Sequence, residues 1–108
     1  MSSERPRLEP PTPPPVAGSP EQVAEVFKRY EGWWLSEWFF ELLRGQARRH
    51  CRNVARWSYS WSRLPLKTAI TVYRCGDVDV KVTVIKPVGV EAPRYVYIEK
   101  VEVKVRRQ

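Results

Sequence analysis

Residues 66–86, LKTAITVYRCGDVDVKVTVIK, contain two runs of alternating apolar and polar side chains, separated by Gly76-Asp77. Alternation with a period of two is typical of β-strands that bury one face, and a two-residue turn that begins with glycine is typical of a hairpin. The predicted register has a valine-rich face, which we expect to pack against helices, with the pairs Cys75–Val78, Tyr73–Val80, Thr71–Val82 and Ala69–Val84. The opposite face is mixed, as expected for a wet or ligand-facing surface, with the pairs Arg74–Asp79, Val72–Lys81 and Ile70–Thr83.

Two helices are predicted before this hairpin. The first begins at residues 19–22, SPEQ, where a serine N-cap, a proline in the first turn and a glutamine three residues after the cap agree. The second is predicted from Trp33 or Trp34 into the early fifties, because apolar residues recur there every three or four positions. These residues, which we expect to anchor the core, are Leu35, Trp38, Phe39, Leu42, Leu43, Ala47 and Cys51.

Two more strands complete the predicted sheet. One is residues 56–63, RWSYSWSR, and the other starts near residue 95, where a change of parity among the apolar residues predicts a bulge near Glu99 and Lys100. The predicted fold class is α+β, with N-terminal helices packed on a four-stranded, mainly antiparallel sheet and forming a cleft with it. The proline-rich residues 1–18 are predicted to be a disordered tail, and residues 19–105 a single domain.

Positive charge is concentrated in the middle of the chain. The formal net charge is +7, and residues 44–74 contain no carboxylate. Protein surfaces ordinarily mix charges of both signs, so a run of this length without an acid suits a polyanionic partner. Pairing of Glu41 with Arg44 on a helix is a structural alternative, but it leaves the later arginines without a local carboxylate. The basic residues of this run are Arg44, Arg48, Arg49, Arg52, Arg56, Arg63, Lys67 and Arg74.

Residues that would indicate catalysis are scarce. The single histidine, His50, has no Ser, Cys or Asp at a recognisable spacing, and we interpret it as a helix-surface or boundary residue. Cys51 and Cys75 lack the further ligands of a zinc site, and no glycine-rich phosphate loop is present, so we expect no metal and no cofactor. The protein is predicted not to be an enzyme. For the two cysteines we favour buried thiols, with a single disulfide as the alternative.

The chain has no run of eighteen or more apolar residues and no signal-peptide pattern. We therefore predict no membrane partner and a cytoplasmic location. Many Glu, Arg and Val residues, ten Pro and a single Asn are typical of an intracellular protein of a thermophile.

Aromatic side chains accompany the basic run, with five Trp, five Tyr and three Phe in the chain. Rings that stack on unpaired bases, together with cations that bind phosphates, are the requirements for binding a single-stranded nucleic acid. Trp57, Tyr59 and Trp61 alternate with serines. We favour rings that face the helices, because three serines would fill a core poorly, and a cleft with an aromatic floor and a basic rim would still admit a ligand. Tyr95 and Tyr97 are expected on the open side.

The order of these features resembles the ThermoDBP family, the single-stranded DNA-binding proteins of Thermoproteales archaea. The resemblance rests on the stretches RLEPPTPPP, SPEQVAEVFKRYEGWW and WLSEWFFELLR, and on the arginine- and tryptophan-rich passage into the strands. It implies helices against a four-stranded antiparallel sheet, with a cleft of hydrophobic floor and basic sides that binds single-stranded DNA with little sequence preference. A leucine-zipper-like segment for dimerisation, known in the family, has no counterpart in the final residues 105–108.

We therefore predict that residues 19–105 form a nucleic-acid-binding domain that protects single-stranded DNA without sequence preference, in nucleoid-associated replication and repair in a hyperthermophilic archaeon. RNA is a variant that stacking does not distinguish, and a homodimer is a further expectation if a C-terminal segment is missing from this chain. The alternative function is a protein-interaction module that uses exposed aromatics and the proline-rich tail. The predicted contact residues are Arg48, Arg49, Arg52, Arg56, Trp57, Tyr59, Trp61, Arg63, Lys67, Lys81, Tyr95 and Tyr97.

Overall fold

The computed structural model describes residues 7–10, 12–89 and 95–106, without the side chain of Arg7. In these residues two helices pack on one face of an antiparallel sheet, which confirms the α+β class. The helices are α1 (Pro20–Arg29) and α2 (Glu37–His50). The strands are β1 (Arg7–Leu8), β2 (Trp33–Ser36), β3 (Arg52–Ser60), β4 (Leu66–Cys75), β5 (Val78–Pro87) and β6 (Tyr95–Val105).

The strands are ordered β1-β2-β6-β5-β4-β3 across the sheet. The strands β2 to β6 are antiparallel to their neighbours, and the two-residue β1 pairs parallel to β2 at one edge. The described sheet therefore has more strands than the four predicted. The edge opposite to β1 is β3, which contains most of the RWSYSWSR stretch.

The hairpin of β4 and β5 has the predicted register. Tyr73 is opposite Val80 and Arg74 is opposite Asp79, as are all the other predicted pairs. Gly76 has a φ of +64°, a backbone conformation that glycine adopts at little cost, which explains the glycine in this turn. The valine-rich face packs against the helices and supplies buried Val80, Val82 and Val84.

The bulge predicted in the last strand is also confirmed. Thr83 is opposite Lys100 and Val84 is opposite Ile98, so Glu99 is the extra residue. This extra residue restores the parity of the core side chains, because Ile98 and Val101 are both buried on the helix side.

The helices follow the predicted patterns, except at the start of α2 and at Trp38, which we expected in the core and which is 64% exposed. Ser19 caps α1 by accepting a hydrogen bond from the backbone N–H of Gln22, as predicted. The second helix begins at Glu37, however, because Ser36 is its N-cap and the preceding residues are extended. In this extended stretch Leu35 pairs with Val96 of β6 and is fully buried. Pairing with a distant strand thus overrides the helical spacing at residues 33–36.

The described part of the proline-rich leader is attached to the domain, although the sequence predicted a tail outside the fold. The carboxylate of Glu9 accepts a hydrogen bond from the N–H of Ser36 at 2.7 Å. Gln46 on α2 accepts from the N–H of Ala17 and donates to the carbonyl of Pro15, both at 2.7 Å. Pro14 and Ala17 are buried. The remainder of the predicted tail, residues 1–6 and 11, lies outside the described residues.

The two cysteines form a disulfide, which is the alternative that we considered rather than the buried thiols that we favoured. The bond joins Cys51, immediately after α2, to Cys75 at the end of β4. Residues 24 apart in sequence are brought together because α2 lies across the helix-facing side of the hairpin. The disulfide therefore links the helical layer to the sheet.

Candidate nucleic-acid interface

The RWSYSWSR stretch presents its rings on the face of the sheet that is turned away from the helices. Trp57 is opposite Ile70 and Tyr59 is opposite Thr68, both of which lie on that face, whereas Ser58 is opposite Ala69 on the helix side. The predicted orientation is therefore wrong. The reason is that β3 is the edge strand, where the helix-side serines are exposed and have no core to fill. We call the face turned away from the helices the open face.

An apolar row crosses the open face from β2 to β3. Trp34, Tyr97 and Ile85 are consecutive cross-strand partners, and Thr68 and Tyr59 continue the row. The rings of Trp34 and Tyr97 lie in contact, with centroids 5.0 Å apart. With neighbouring strands about 4.8 Å apart, the row is about 19 Å long. We call this row, together with the neighbouring rings of Trp57 and Tyr95 on the same face, the platform.

Several rings near this row are accessible. Trp57 is 45%, Tyr59 57% and Tyr95 44% exposed, values that would allow a base to stack on them. Trp61 is anchored differently, because its indole N–H donates a hydrogen bond to the hydroxyl of buried Thr68 at 2.9 Å. The open face thus has three accessible rings and a fourth, Trp61, that a hydrogen bond holds against the sheet.

Basic side chains occupy the end of the open face near the β4–β5 turn. Arg52 is opposite Arg74, which pairs with Asp79 at 3.3 Å, and Arg106 shares the same carboxylate at 3.3 Å. Lys81 lies between this end and the rings, with its ammonium 5.8 Å from the centre of the Trp57 ring. Cations outnumber carboxylates among the described residues here, with Arg52, Arg74, Lys81, Lys100, Lys104 and Arg106 against Asp79 and Glu102.

A second basic group lies on the helix side, beside α2. Lys67 and Lys86 are directly opposite each other on β4 and β5, and Arg44 and Arg56 approach them from α2 and β3. The pKa of Lys86 is lowered from its ordinary value, first by burial and then by the neighbouring charges of Arg44 and Lys67. Like charges on opposed strand positions are unfavourable, and the carboxylate of Glu37 at the same end partly offsets them.

The predicted cleft between α2 and the sheet is narrow. Its floor is formed by Phe27, Phe40 and Tyr73 rather than by the rings of residues 57–61, and Arg44 and Arg56 lie at its rim. Its accessible volume is small, about 30 Å³. The cleft therefore gives no support for the stacking of bases between α2 and the sheet.

The predicted contact residues thus fall on different surfaces. Arg52, Lys81 and the five rings at 57, 59, 61, 95 and 97 share the open face, whereas Arg56 and Lys67 are on the helix side. Arg48 pairs with Glu41 at 3.3 Å on α2, Arg49 lies beside the leader, and Arg63 is in the exposed turn after β3. Trp34, which lies on the open face in β2, is not among the predicted contact residues, because its position suggested the start of a helix.

The described residues were also compared with the requirements of a metal site and of a membrane-spanning helix. In residues 7–10, 12–89 and 95–106, no group of three or more His, Cys, Asp or Glu side chains is placed to hold a metal ion. Neither helix in that part of the chain has the length and apolar character needed to cross a membrane. Comparison of the chain with known protein families, curated proteins and solved structures found no match.

Proposed function

We propose that this protein binds single-stranded DNA without sequence preference, on the open face of its sheet. The observation that carries the proposal is the position of exposed Trp57 and Tyr59 on the same face as a basic end of the sheet. Flat rings accept any base because every base has a π-face, and cations beside them bind the phosphates. Neither the rings nor the cations select a base sequence, and protection of arbitrary single strands requires such binding.

Bases stack on the rings of the platform. Trp57 and Tyr59 are two positions apart on β3, so their Cα atoms are about 6.6 Å apart along the strand, a spacing that successive unpaired bases can span. Tyr95 and Tyr97 contribute two further rings of the platform, on β6. Each stack is worth about 1–3 kcal/mol, so a few rings suffice for useful affinity.

Phosphates contact the cations that border the platform. Arg52 and Lys81 are close to the rings on the open face, and Arg56 and Lys67 lie just across the β3 edge on the helix side. A strand that leaves the platform over this edge would place phosphates near both groups. Each neutralised phosphate contributes a slope of about −0.7 to the dependence of log affinity on log salt for single strands.

A titration of the full chain with oligo-dT, followed by Trp fluorescence, tests the proposal. We expect quenching at low salt, binding that weakens steeply with salt, and weaker binding to duplex of the same length. Absence of quenching, or equal affinity for duplex and single strand, would refute stacking on the open face.

Variants on β3 locate the site. Trp57→Ala and Tyr59→Ala are each expected to raise Kd about 5- to 150-fold, the equivalent of one lost stack. Ser58→Ala is the matched control, because Ser58 lies between them in sequence but faces the helix side. Arg52→Ala should reduce the salt slope by about 0.7 and leave the quenching in place. If Ser58→Ala weakened binding as much as its neighbours, the site would lie elsewhere.

A further inference from the structure

The outer edge of the sheet, formed by β3, is uncovered in the part of the chain that the structure describes. The strand has nine residues, and all of them are exposed except the half-buried Ala55. Its sequence, RNVARWSYS, contains neither proline nor glycine, and its one irregularity, a bulge, lies between Asn53 and Ala55. Residues 56–60 therefore form a regular edge of the kind that can pair with a further chain.

The register of β3 shows which of its backbone groups point outward. The N–H of Trp61 donates to the carbonyl of Leu66 at 2.9 Å, and these two residues continue the register of β3 with β4. In an antiparallel pair, every second residue exchanges hydrogen bonds with the residue opposite. Trp57 and Tyr59 therefore bond to β4. The N–H and C=O groups that point away from β4, where no further strand is described, are those of Arg56, Ser58 and Ser60.

Positive charge without a local carboxylate borders the same edge. Arg52 and Arg56 lie in β3 and Arg63 follows it, and none of the three forms an ion pair with a described residue. On α2, by contrast, Glu41 pairs with two arginines of the same helix. The edge is thus a row of open backbone groups next to arginines that lack an acidic partner.

We infer that β3 binds an acidic, extended segment of a partner protein, which adds to the sheet as an antiparallel strand. The outward N–H and C=O groups are matched by a polypeptide backbone, whereas a nucleic acid has no such ladder of donors and acceptors. The arginines are matched by carboxylates. A second copy of this chain would bring the same arginines to the edge, and like charges on paired strands are unfavourable.

The two faces of β3 determine the side-chain pattern of this segment. Residues directly opposite each other on paired strands lie on the same face. Positions opposite Arg56, Ser58 and Ser60 lie on the helix side, where carboxylates reach the arginine. The positions between them lie on the open face beside the exposed rings of Trp57 and Tyr59, where apolar side chains pack. The segment therefore alternates acidic and apolar residues.

Fluorescence anisotropy of a labelled peptide, titrated with the full chain in the absence of nucleic acid, tests this inference. The probe is a seven-residue peptide of alternating Glu and Leu that begins and ends with Glu. In the antiparallel arrangement its Glu residues exchange hydrogen bonds with β3, and its Leu N–H groups point away. N-methylation of three Glu residues should therefore raise Kd about tenfold or more, because several hydrogen bonds are lost. N-methylation of the three Leu residues is the matched control, with the same charge and composition, and should leave Kd nearly unchanged.

A pair of arginine variants tests the charge requirement with the unmodified peptide. Arg56→Ala should raise Kd about two- to fivefold, the equivalent of one exposed ion pair. Arg49→Ala removes the same charge from α2, beside the leader, and should have little effect. Hydrogen exchange gives a further measurement, because bound peptide should slow exchange at the amides of Ser58 and Ser60. The amide of Tyr59, which already bonds to β4, should not change.

Equal affinities of the two methylated peptides, or a loss only on methylation of the Leu residues, would overturn the antiparallel addition. An equal effect of the two arginine variants would show a general attraction of acid to a basic protein, and would also overturn it. Absence of peptide binding here leaves the DNA proposal intact, because the oligo-dT titration contains no peptide and this one contains no DNA.

Discussion

At the scale of the residue, Glu31 connects the end of α1 to the bulged strand. Its carboxylate accepts a hydrogen bond from the N–H of Val101 at 2.8 Å and pairs with Lys28 at 3.1 Å. Lys28 in turn donates to the carbonyl of Val101 at 3.0 Å. Both backbone groups of the residue just after the bulge are thus satisfied by side chains. The hydrogen bond from Val101 is the main reason that the pKa of Glu31 lies below its ordinary value; burial opposes it and Lys28 adds to it.

This lowered pKa predicts a pH-dependent contribution of Glu31 to stability. A carboxyl whose pKa is lower in the folded state stabilises the fold above its unfolded pKa, and the contribution is lost as pH falls through the folded pKa. Glu31→Gln should therefore lower the free energy of unfolding by about 1 kcal/mol at neutral pH, and by progressively less below about pH 4.5. Urea denaturation at neutral and acidic pH measures the difference, with exposed Glu99→Gln as the control. An equal loss at both pH values would contradict this origin.

At the scale of the element, Ser36 joins three parts of the molecule. It is the last residue of β2, and its hydroxyl caps α2 by accepting from the N–H of Phe39 at 3.1 Å. The same hydroxyl and its backbone N–H bind the carboxylate of Glu9 in the leader. One serine thus determines where the strand ends, where the helix begins and where the leader attaches.

Ser36→Ala should lower the free energy of unfolding by about 1 kcal/mol, the usual cost of removing a helix cap. Because the backbone N–H of residue 36 remains, the contact with Glu9 should weaken rather than disappear. Urea denaturation gives the total effect, and hydrogen exchange at the Phe39 amide shows whether the first turn of α2 frays. Ser62→Ala, in the exposed turn after β3, is the matched control; equal losses in the two variants would argue against the cap.

At the scale of the whole molecule, the Cys51–Cys75 disulfide holds the helical layer on the sheet and closes a loop with a sequence separation of 24. A crosslink over a loop of this length restricts the unfolded chain and stabilises the fold by about 3 kcal/mol. Thermal unfolding with and without reductant should show a corresponding loss. The double variant Cys51→Ser with Cys75→Ser should have the lower stability and no response to reductant. A wild type that is indifferent to reductant would contradict the prediction.

The local features of this protein follow from neighbouring side chains in its sequence. The period-two pattern and Gly76-Asp77 predicted the register of β4 and β5, the change of parity predicted the bulge at Glu99, and the capping residues predicted the start of α1. Each of these depends on side chains within a few residues of one another. Alternation also showed that Trp57, Tyr59 and Trp61 share a face.

Which face these rings occupy depends on contacts between distant parts of the chain. Alternation is symmetric between the two sides of a strand, so the buried side depends on where the helices lie and on which strand forms the edge. The same non-local pairing made residues 33–36 a strand, because contact with Val96 outweighs their helical spacing. The candidate site is assembled from side chains of β2, β3, β5 and β6, and its composition depends on sheet order, which no local pattern in the chain encodes.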